Sequence, residues 1–334
     1  MSKHLNLIKY IFVKLLTLIF FVFGTIFIVF AVYFYLVGDS KPHHLTLGQT
    51  VVWQDFSIHG NSCYTCFRFD ELGYFDSFLI QYGRFLRHFF IEGAIYFPFQ
   101  WGALEFETFT PQILNTLLLF TITVLISLTA AFPLGILAAI KKNTWIDQFI
   151  KFIIYIGKST PVFLLALLVI MLFSSNLIPG FNIYFVNPSV WLPAMVLSFG
   201  IGTAIAQEVR HLMLEIIKQG YMQGARARGI TYGKVICRHI IHNIFILIIP
   251  AFKAQLGNFI TGIILVEVIF RWNGLGLLLL QSILGGHLSH TISMIFGSII
   301  ILILLSAVFN FIIDVTNAFI DPQIRFEAKS ELPA

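Results

Sequence analysis

The sequence predicts an all-α polytopic membrane protein with about six transmembrane helices. Three observations predict it. Hydrophobic residues make up 58% of the chain and charged residues only 11%, where a soluble domain carries roughly 25% charged. The mean hydropathy is +0.88. The apolar residues, including 37 Phe, fall in uninterrupted runs long enough to cross a bilayer as helices, which takes about 20 residues each.

Six runs meet that length: Tyr10–Val37, Ile113–Ile140, Phe149–Phe173, Val190–Ala206, Ile240–Val266 and Thr291–Ile320. They are continuously apolar, and the strands of a membrane barrel would alternate instead. The first run is too long for the apolar region of a secretory signal, and no small-x-small cleavage pattern follows it, so it reads as a retained helix. The chain therefore divides into a tail and first span over 1–37, an external insertion over 38–110, a membrane core over 111–320 and a tail over 321–334.

Orientation follows from the basic residues, which cytoplasmic segments retain. With the amino terminus inside, the cytoplasmic set is Lys3, Lys9, Lys14, Lys141, Lys142, Lys151, Lys158, Arg210, Lys218, Arg226, Arg228, Lys234, Arg238, Arg325 and Lys329. Outside fall only Lys41, Arg68, Arg84, Arg87 and Arg271. Both termini are then cytoplasmic. Segment 38–110 carries eight acids against four bases, in keeping with an external position. It is apolar at Phe89–Trp101 and calls for a small helical cap or an interfacial helix. Its Cys63-Tyr-Thr-Cys66 lacks the βαβ context of a redox motif, leaving a loop disulfide or two packed thiols.

Segment 207–239 holds the most informative pattern. Its first part continues the fourth span as a helix. Gly220, Gly224, Gly229 and Gly233 then interrupt it, each costing about 1 kcal/mol relative to Ala inside a helix. Short helices around 221–228 and 232–238, turning at Gly229, fit better than one long helix. Small Gly224, Ala225 and Ala227 beside Arg226 and Arg228 permit close approach of another protein, with guanidinium forks for its carboxylates. Charge alone would equally serve topology or anionic lipid; the small residues beside it favour docking.

Gly224-Ala-Arg-Ala-Arg-Gly229, followed by Arg238-His239 and His242-Asn243, resembles the EAA loop of ABC importer permeases, closest to the B-type permease of dipeptide, oligopeptide and nickel importers. Further pieces agree in order. They are Gly38-Asp39, Pro133–Ala139, Asp147, Ser159-Thr-Pro161-Val-Phe163, Glu267-xx-Phe270-xx-Asn273-Gly274-Leu275-Gly276, Asp314 and Asp321-Pro322-xx-Arg325. Departures also occur. Ser40 stands where the family has a proline after Gly-Asp, Gln223 replaces the leading Glu of the loop, Asn273 a usual proline, and Leu247 a common one. Gly286-His287 occupies the neighbourhood of an expected acid. These departures bear on substrate class and suit a divergent branch such as the permeases linked to antimicrobial-peptide resistance.

The resemblance implies a type I ABC importer permease fold, with Gly224, Ala225, Arg226, Ala227, Arg228 and Gly229 as the coupling helix docked on a cytoplasmic ABC ATPase. It implies a second, C-type permease subunit, an external solute-binding protein, a bacterial inner-membrane location, and peptide as substrate, with nickel chelates, glutathione-like thiols or antimicrobial peptides as alternatives. Glu267, Asn273, Gly274 and Gly276 would belong to an external re-entrant gate. Lys253, near the middle of the fifth span, is a pore candidate, since an ionisable residue at depth faces a cavity or a partner, although a long side chain also snorkels. Asp314, near the end of the last span, suits a structural pair.

Other signals carry less. Gly157-Lys158-Ser159 lacks the first glycine of a P-loop, which falls at Phe152, so the chain is not expected to bind ATP or act as an enzyme. The pairs His43/His44, His239/His242 and His287/His290 lack further ligands for zinc. No metal, cofactor or nucleic acid is expected. A secondary transporter would show paired broken helices and intramembrane ionisable groups in two halves; no repeat is visible, and Lys253 alone is thin support.

Overall fold

The computed structural model describes residues 2–38, 50–55, 63–68, 77–95, 104–105, 109–174, 190–220, 241–284 and 288–320. Among these, five helices are long and apolar enough to cross a membrane, and a bent helix pair brings the count to six. In order they are α1 (Ser2–Gly38), α2 (Phe78–Arg87) with a π-helical turn to Glu92, α3 (Thr110–Ile140), α4 (Trp145–Ser159), α5 (Val162–Ser174), α6 (Trp191–Lys218), α7 (Ile241–Phe270), the short α8 (Leu275–Leu284) and α9 (Leu288–Ile320). Two small antiparallel ribbons, β1 (Thr50–Asp55) with β2 (Cys63–Arg68) and β3 (Ala94–Ile95) with β4 (Leu104–Glu105), accompany them. The chain forms two compact units.

The first unit comprises residues 1–19, 111–277 and 305–334. In lipid, apolar side chains gain little by leaving the solvent, so helices associate by close packing of small residues. That is how α3, α4 and α6 meet. A methyl group on Gly135 of α3 would lie 2.7 Å from Val209 Cβ of α6, and one on Gly157 of α4 would lie 2.4 Å from Thr203 Oγ1 of α6. Ala131, Ala138, Ala139 and Ala206 are buried in the same core. Lys158, which the sequence places beside a decoy nucleotide motif, donates from Nζ to Gln207 Oε1 at 2.7 Å.

The third predicted span is not one straight helix. Between α4 and α5 the axis turns by 102°, and the cause is Pro161. Proline has no N–H to continue the ladder and pushes its predecessor out of the helical region. Thr160 accordingly sits at φ −88°, ψ 118°. The fourth span runs on to Lys218, as the sequence predicts for its first cytoplasmic turns.

The second unit comprises residues 20–110 and 278–304. Here α2 is the small helix expected within segment 38–110. It is fastened to the second half of α1 by aromatic rings: Phe30 lies 5.2 Å from Phe85 and 5.4 Å from Tyr82, and Phe27 meets Tyr82 edge-on at 5.3 Å. Phe109 and Ile95 close on Gly297 of α9, where a methyl group would lie 2.9 Å from the Phe109 ring. Cys63 and Cys66 both belong to strand β2. Three residues of strand span about 10 Å, beyond the roughly 7 Å limit for a bridge.

Candidate functional site

Three polar knots stand in the first unit, each joining helices far apart in sequence. The first closes the turn between α7 and α8. Glu267, in the last turn of α7, is fully buried. Its Oε1 accepts from Thr116 Oγ1 at 2.7 Å and its Oε2 from the Gly276 amide at 2.7 Å. Thr116 Oγ1 in turn accepts from the Leu275 amide at 3.0 Å. Two side chains from α3 and α7 thus satisfy the first orphan amides of α8, the groups a helix start leaves without internal partners, and a carboxylate there suits the positive end of the dipole.

The neighbouring residues complete this knot. Asn115 Nδ2 donates to the Asn273 carbonyl at 2.8 Å, and Trp272 Nε1 donates to the Asn115 carbonyl at 3.0 Å. Arg271 takes the left-handed conformation at φ 53°, which turns the chain at the end of α7. The glycines leave room for the carboxylate: a methyl group on Gly274 would lie 2.1 Å from Glu267 Oε1, and one on Gly276 2.8 Å from Ile264 Cα. The structure thus brings Glu267, Asn273, Gly274 and Gly276 into one turn. Thr116, Asn115 and Trp272 were not legible as its partners, because nothing in their spacing marks them.

The second knot sits where α3 passes to α4. Asn143, in the turn after α3, takes the left-handed conformation at φ 64°, which asparagine tolerates better than most residues. Asp147, in the first turn of α4, is fully buried. Its carboxylate holds Arg210 of α6 by two bonds, Nε to Oδ1 at 2.9 Å and Nη2 to Oδ2 at 3.1 Å. It also accepts from the Asn143 amide at 3.0 Å and lies 3.4 Å from Lys151 Nζ. This is the forked pairing that fixes orientation as well as charge. The sequence marks Arg210 only as a topological cation, since a partner 63 residues away leaves no local signal.

The third knot contains Lys253. Its ammonium donates to Asp314 Oδ1, and Lys14 Nζ lies 3.2 Å from Asp314 Oδ2. α1, α7 and α9 therefore meet on one carboxylate, the structural pair foreseen for Asp314. Lys253 is turned to that partner instead of standing alone at depth. The residues Gly224, Ala225, Arg226, Ala227, Arg228 and Gly229 lie outside the described residues. Among the described residues no three His, Cys, Asp or Glu side chains gather as metal ligands.

These features define a multi-pass helical membrane protein built around a bent third span, a long fourth helix and a knotted turn after the fifth. Residues 131–326 match the family described as "Binding-protein-dependent transport system inner membrane component", and the chain belongs to that family: it is a permease component of an ABC transporter. It is 31% identical over 231 residues to the oligopeptide transport system permease protein AppB of Bacillus subtilis, covering 66% of this chain and 72% of that one. It is also 31% identical over 199 residues to the glutathione transport system permease protein GsiC of Escherichia coli, covering 58% and 62%. Among solved structures it resembles the MetNI methionine ABC transporter in an inward-facing conformation, with a TM-score of 0.52, 17% identity, and coverage of 64% of this chain and 96% of that one. That likeness bears on the fold and agrees with the type I importer expectation. The family as such works with ATPase and substrate-binding partners.

Proposed function

We propose that this chain is one half of a two-permease translocation path for peptides, closed at its outer end by the Glu267 turn and driven through residues 224–229 by a cytoplasmic ATPase. One observation carries the path: the exposed face of α7. Along it run Pro250, Ala254, Gly257, Asn258, Thr261 and Leu265, spaced as one stripe of a helix. The exposed faces of α1 and α5 are built from large apolar side chains such as Phe20, Phe21, Leu164, Leu168 and Met171, as lipid requires. An asparagine facing hydrocarbon would be costly, whereas Thr261 satisfies its hydroxyl on the Gly257 carbonyl. The α7 stripe therefore suits a water-filled path or a second permease subunit of the C type, and small polar groups can serve the backbone amides of a peptide without selecting a sequence.

The basic residues favour cytoplasmic termini, which puts the Asp147–Arg210 knot and residues 224–229 on the ATPase side of a bacterial inner membrane. The buried pair then holds α4 to the helix that leads into the docking elbow, so that a push on the elbow moves α4 and α6 as one body. ATP hydrolysis belongs to the partner subunits in this reading, and an external solute-binding protein delivers the cargo. Peptide as the substrate class is supported by the oligopeptide name of the Bacillus relative, with a thiol tripeptide close behind through the Escherichia relative. The test is the double charge reversal Arg226→Glu/Arg228→Glu in the reconstituted complex. Expected is normal membrane insertion, retained ATPase binding site integrity in the partner, and peptide uptake reduced at least tenfold, the scale of a lost docking contact. Uptake at the wild-type rate would sink the proposal.

A further inference from the structure

Lys14, Lys253 and Asp314 form a charge cluster apart from the Glu267 turn and the Asp147–Arg210 pair. Two ammonium groups share one carboxylate, so the cluster carries one uncompensated positive charge. Both lysine side chains remain about a third exposed, at 34% and 37%, whereas Asp314 is 16% exposed. The Lys14 ammonium also lies 5.7 Å from the centre of the Tyr10 ring. Among the described residues no second acid answers it, and its exposure leaves it open to an anion from outside.

Depth indicates which anion. At 1.5 Å per residue, Lys14 lies about 32 Å along α1 from Tyr35, and Asp314 about 30 Å along α9 from Met294. Lys253 lies about 26 Å along α7 from Phe270 by the same rise. Tyr35, Met294 and Phe270 each end a membrane-spanning stretch, and the hydrocarbon core is about 30 Å thick. Three helices thus bring the cluster to one depth, the boundary of hydrocarbon and headgroups on the side where α1 begins and α9 ends. On the α1 and α9 sides its surroundings are those of a lipid-facing wall. Val13, Leu15 and Leu16 flank Lys14 on α1, and Ile312 lies two residues from Asp314 on α9, all with exposed side chains.

We infer that Lys14 and Lys253 hold the phosphate of an anionic lipid of this leaflet, with Asp314 as the internal counter-charge that fixes both ammonium groups at the boundary. The cluster differs from general attraction of a basic surface to an anionic leaflet in that its two cations come from different helices and are held in place by a partly buried acid.

The experiment is native mass spectrometry of the full-length chain released from detergent, titrated with phosphatidylglycerol or with phosphatidylcholine of the same acyl chains. Expected is one phosphatidylglycerol bound roughly fivefold more tightly than phosphatidylcholine, the scale for one net positive charge at about 1 kcal/mol. The preference falls to near unity in Lys14→Gln/Lys253→Gln and survives in Lys14→Arg/Lys253→Arg, which keeps the charge. Inorganic phosphate in excess leaves the bound lipid in place if the acyl chains belong to the ligand. Its displacement of the lipid would show a free-anion site and overturn the lipid assignment. Equal retention of both lipids by the wild-type chain, or an unchanged preference in the double glutamine variant, overturns the inference outright. Peptide uptake is a separate readout, so failure here leaves the translocation proposal standing.

Discussion

Replacing Asp147 by alanine removes the only acid among the described residues that faces Arg210. The carboxylate is fully buried and makes two bonds to the guanidinium, while Arg210 keeps 19% of its side chain exposed. Removing one partner of a buried pair costs about 3–5 kcal/mol, chiefly through the charge left behind. The partial exposure of Arg210 places this case at the lower end, about 3 kcal/mol. The Asn143 amide loses its acceptor in the same substitution. Local opening of the α3–α4 turn should then become about two orders of magnitude more frequent, since 1.4 kcal/mol is a factor of ten. Hydrogen exchange of residues 143–151 in the assembled transporter reads this directly, with the amides of α9 as the unaffected control. Arg210→Ala should cost less than Asp147→Ala, because Lys151 still pairs with the acid. The double variant should cost less than the sum of the two, since no buried charge is then orphaned. Strict additivity, or unchanged protection of 143–151, would refute the reasoning.

Three further outcomes follow from the other elements. Gly274→Ala should prevent assembly of the turn before α8, because the new methyl meets the Glu267 carboxylate at 2.1 Å; retention of normal expression and transport would show that the turn opens freely. Thr116→Val keeps the shape but removes both the donor to Glu267 and the acceptor for Leu275. A loss of about 1–3 kcal/mol for the unpaired buried groups is expected, seen as a lowered thermal midpoint in detergent that Thr116→Ser restores. Pro161→Ala returns an N–H and frees Thr160 to become helical. A spin-label pair on α4 and α5 should report a bend well below 102°, and an unaltered distance would move the cause of the bend to packing.

Membrane embedding and helix number were legible in the chain because each depends on local composition. A run such as Tyr10–Val37 has no other place to go, and α1, α3, α6, α7 and α9 lie where the apolar runs put them. The bend in the third span was written at Thr160-Pro161, yet the apolar residues on both sides hid it, because hydropathy averages over a window and a proline acts at one bond. The Glu267-to-Gly276 motif was visible as a pattern of residues without its purpose. Only packing reveals that the glycines are needed by a carboxylate folded back onto them.

The sequence by itself determined that this protein crosses the membrane several times and belongs among transporter permeases, because span length, charge placement and short-range motifs are properties of neighbouring residues. Tertiary structure alone decided which charges answer one another. Arg210 is 63 positions from Asp147 and Lys253 is 61 from Asp314, separations over which no periodicity carries information. In a low-dielectric interior each ion depends on the particular partner that packing of the helices delivers.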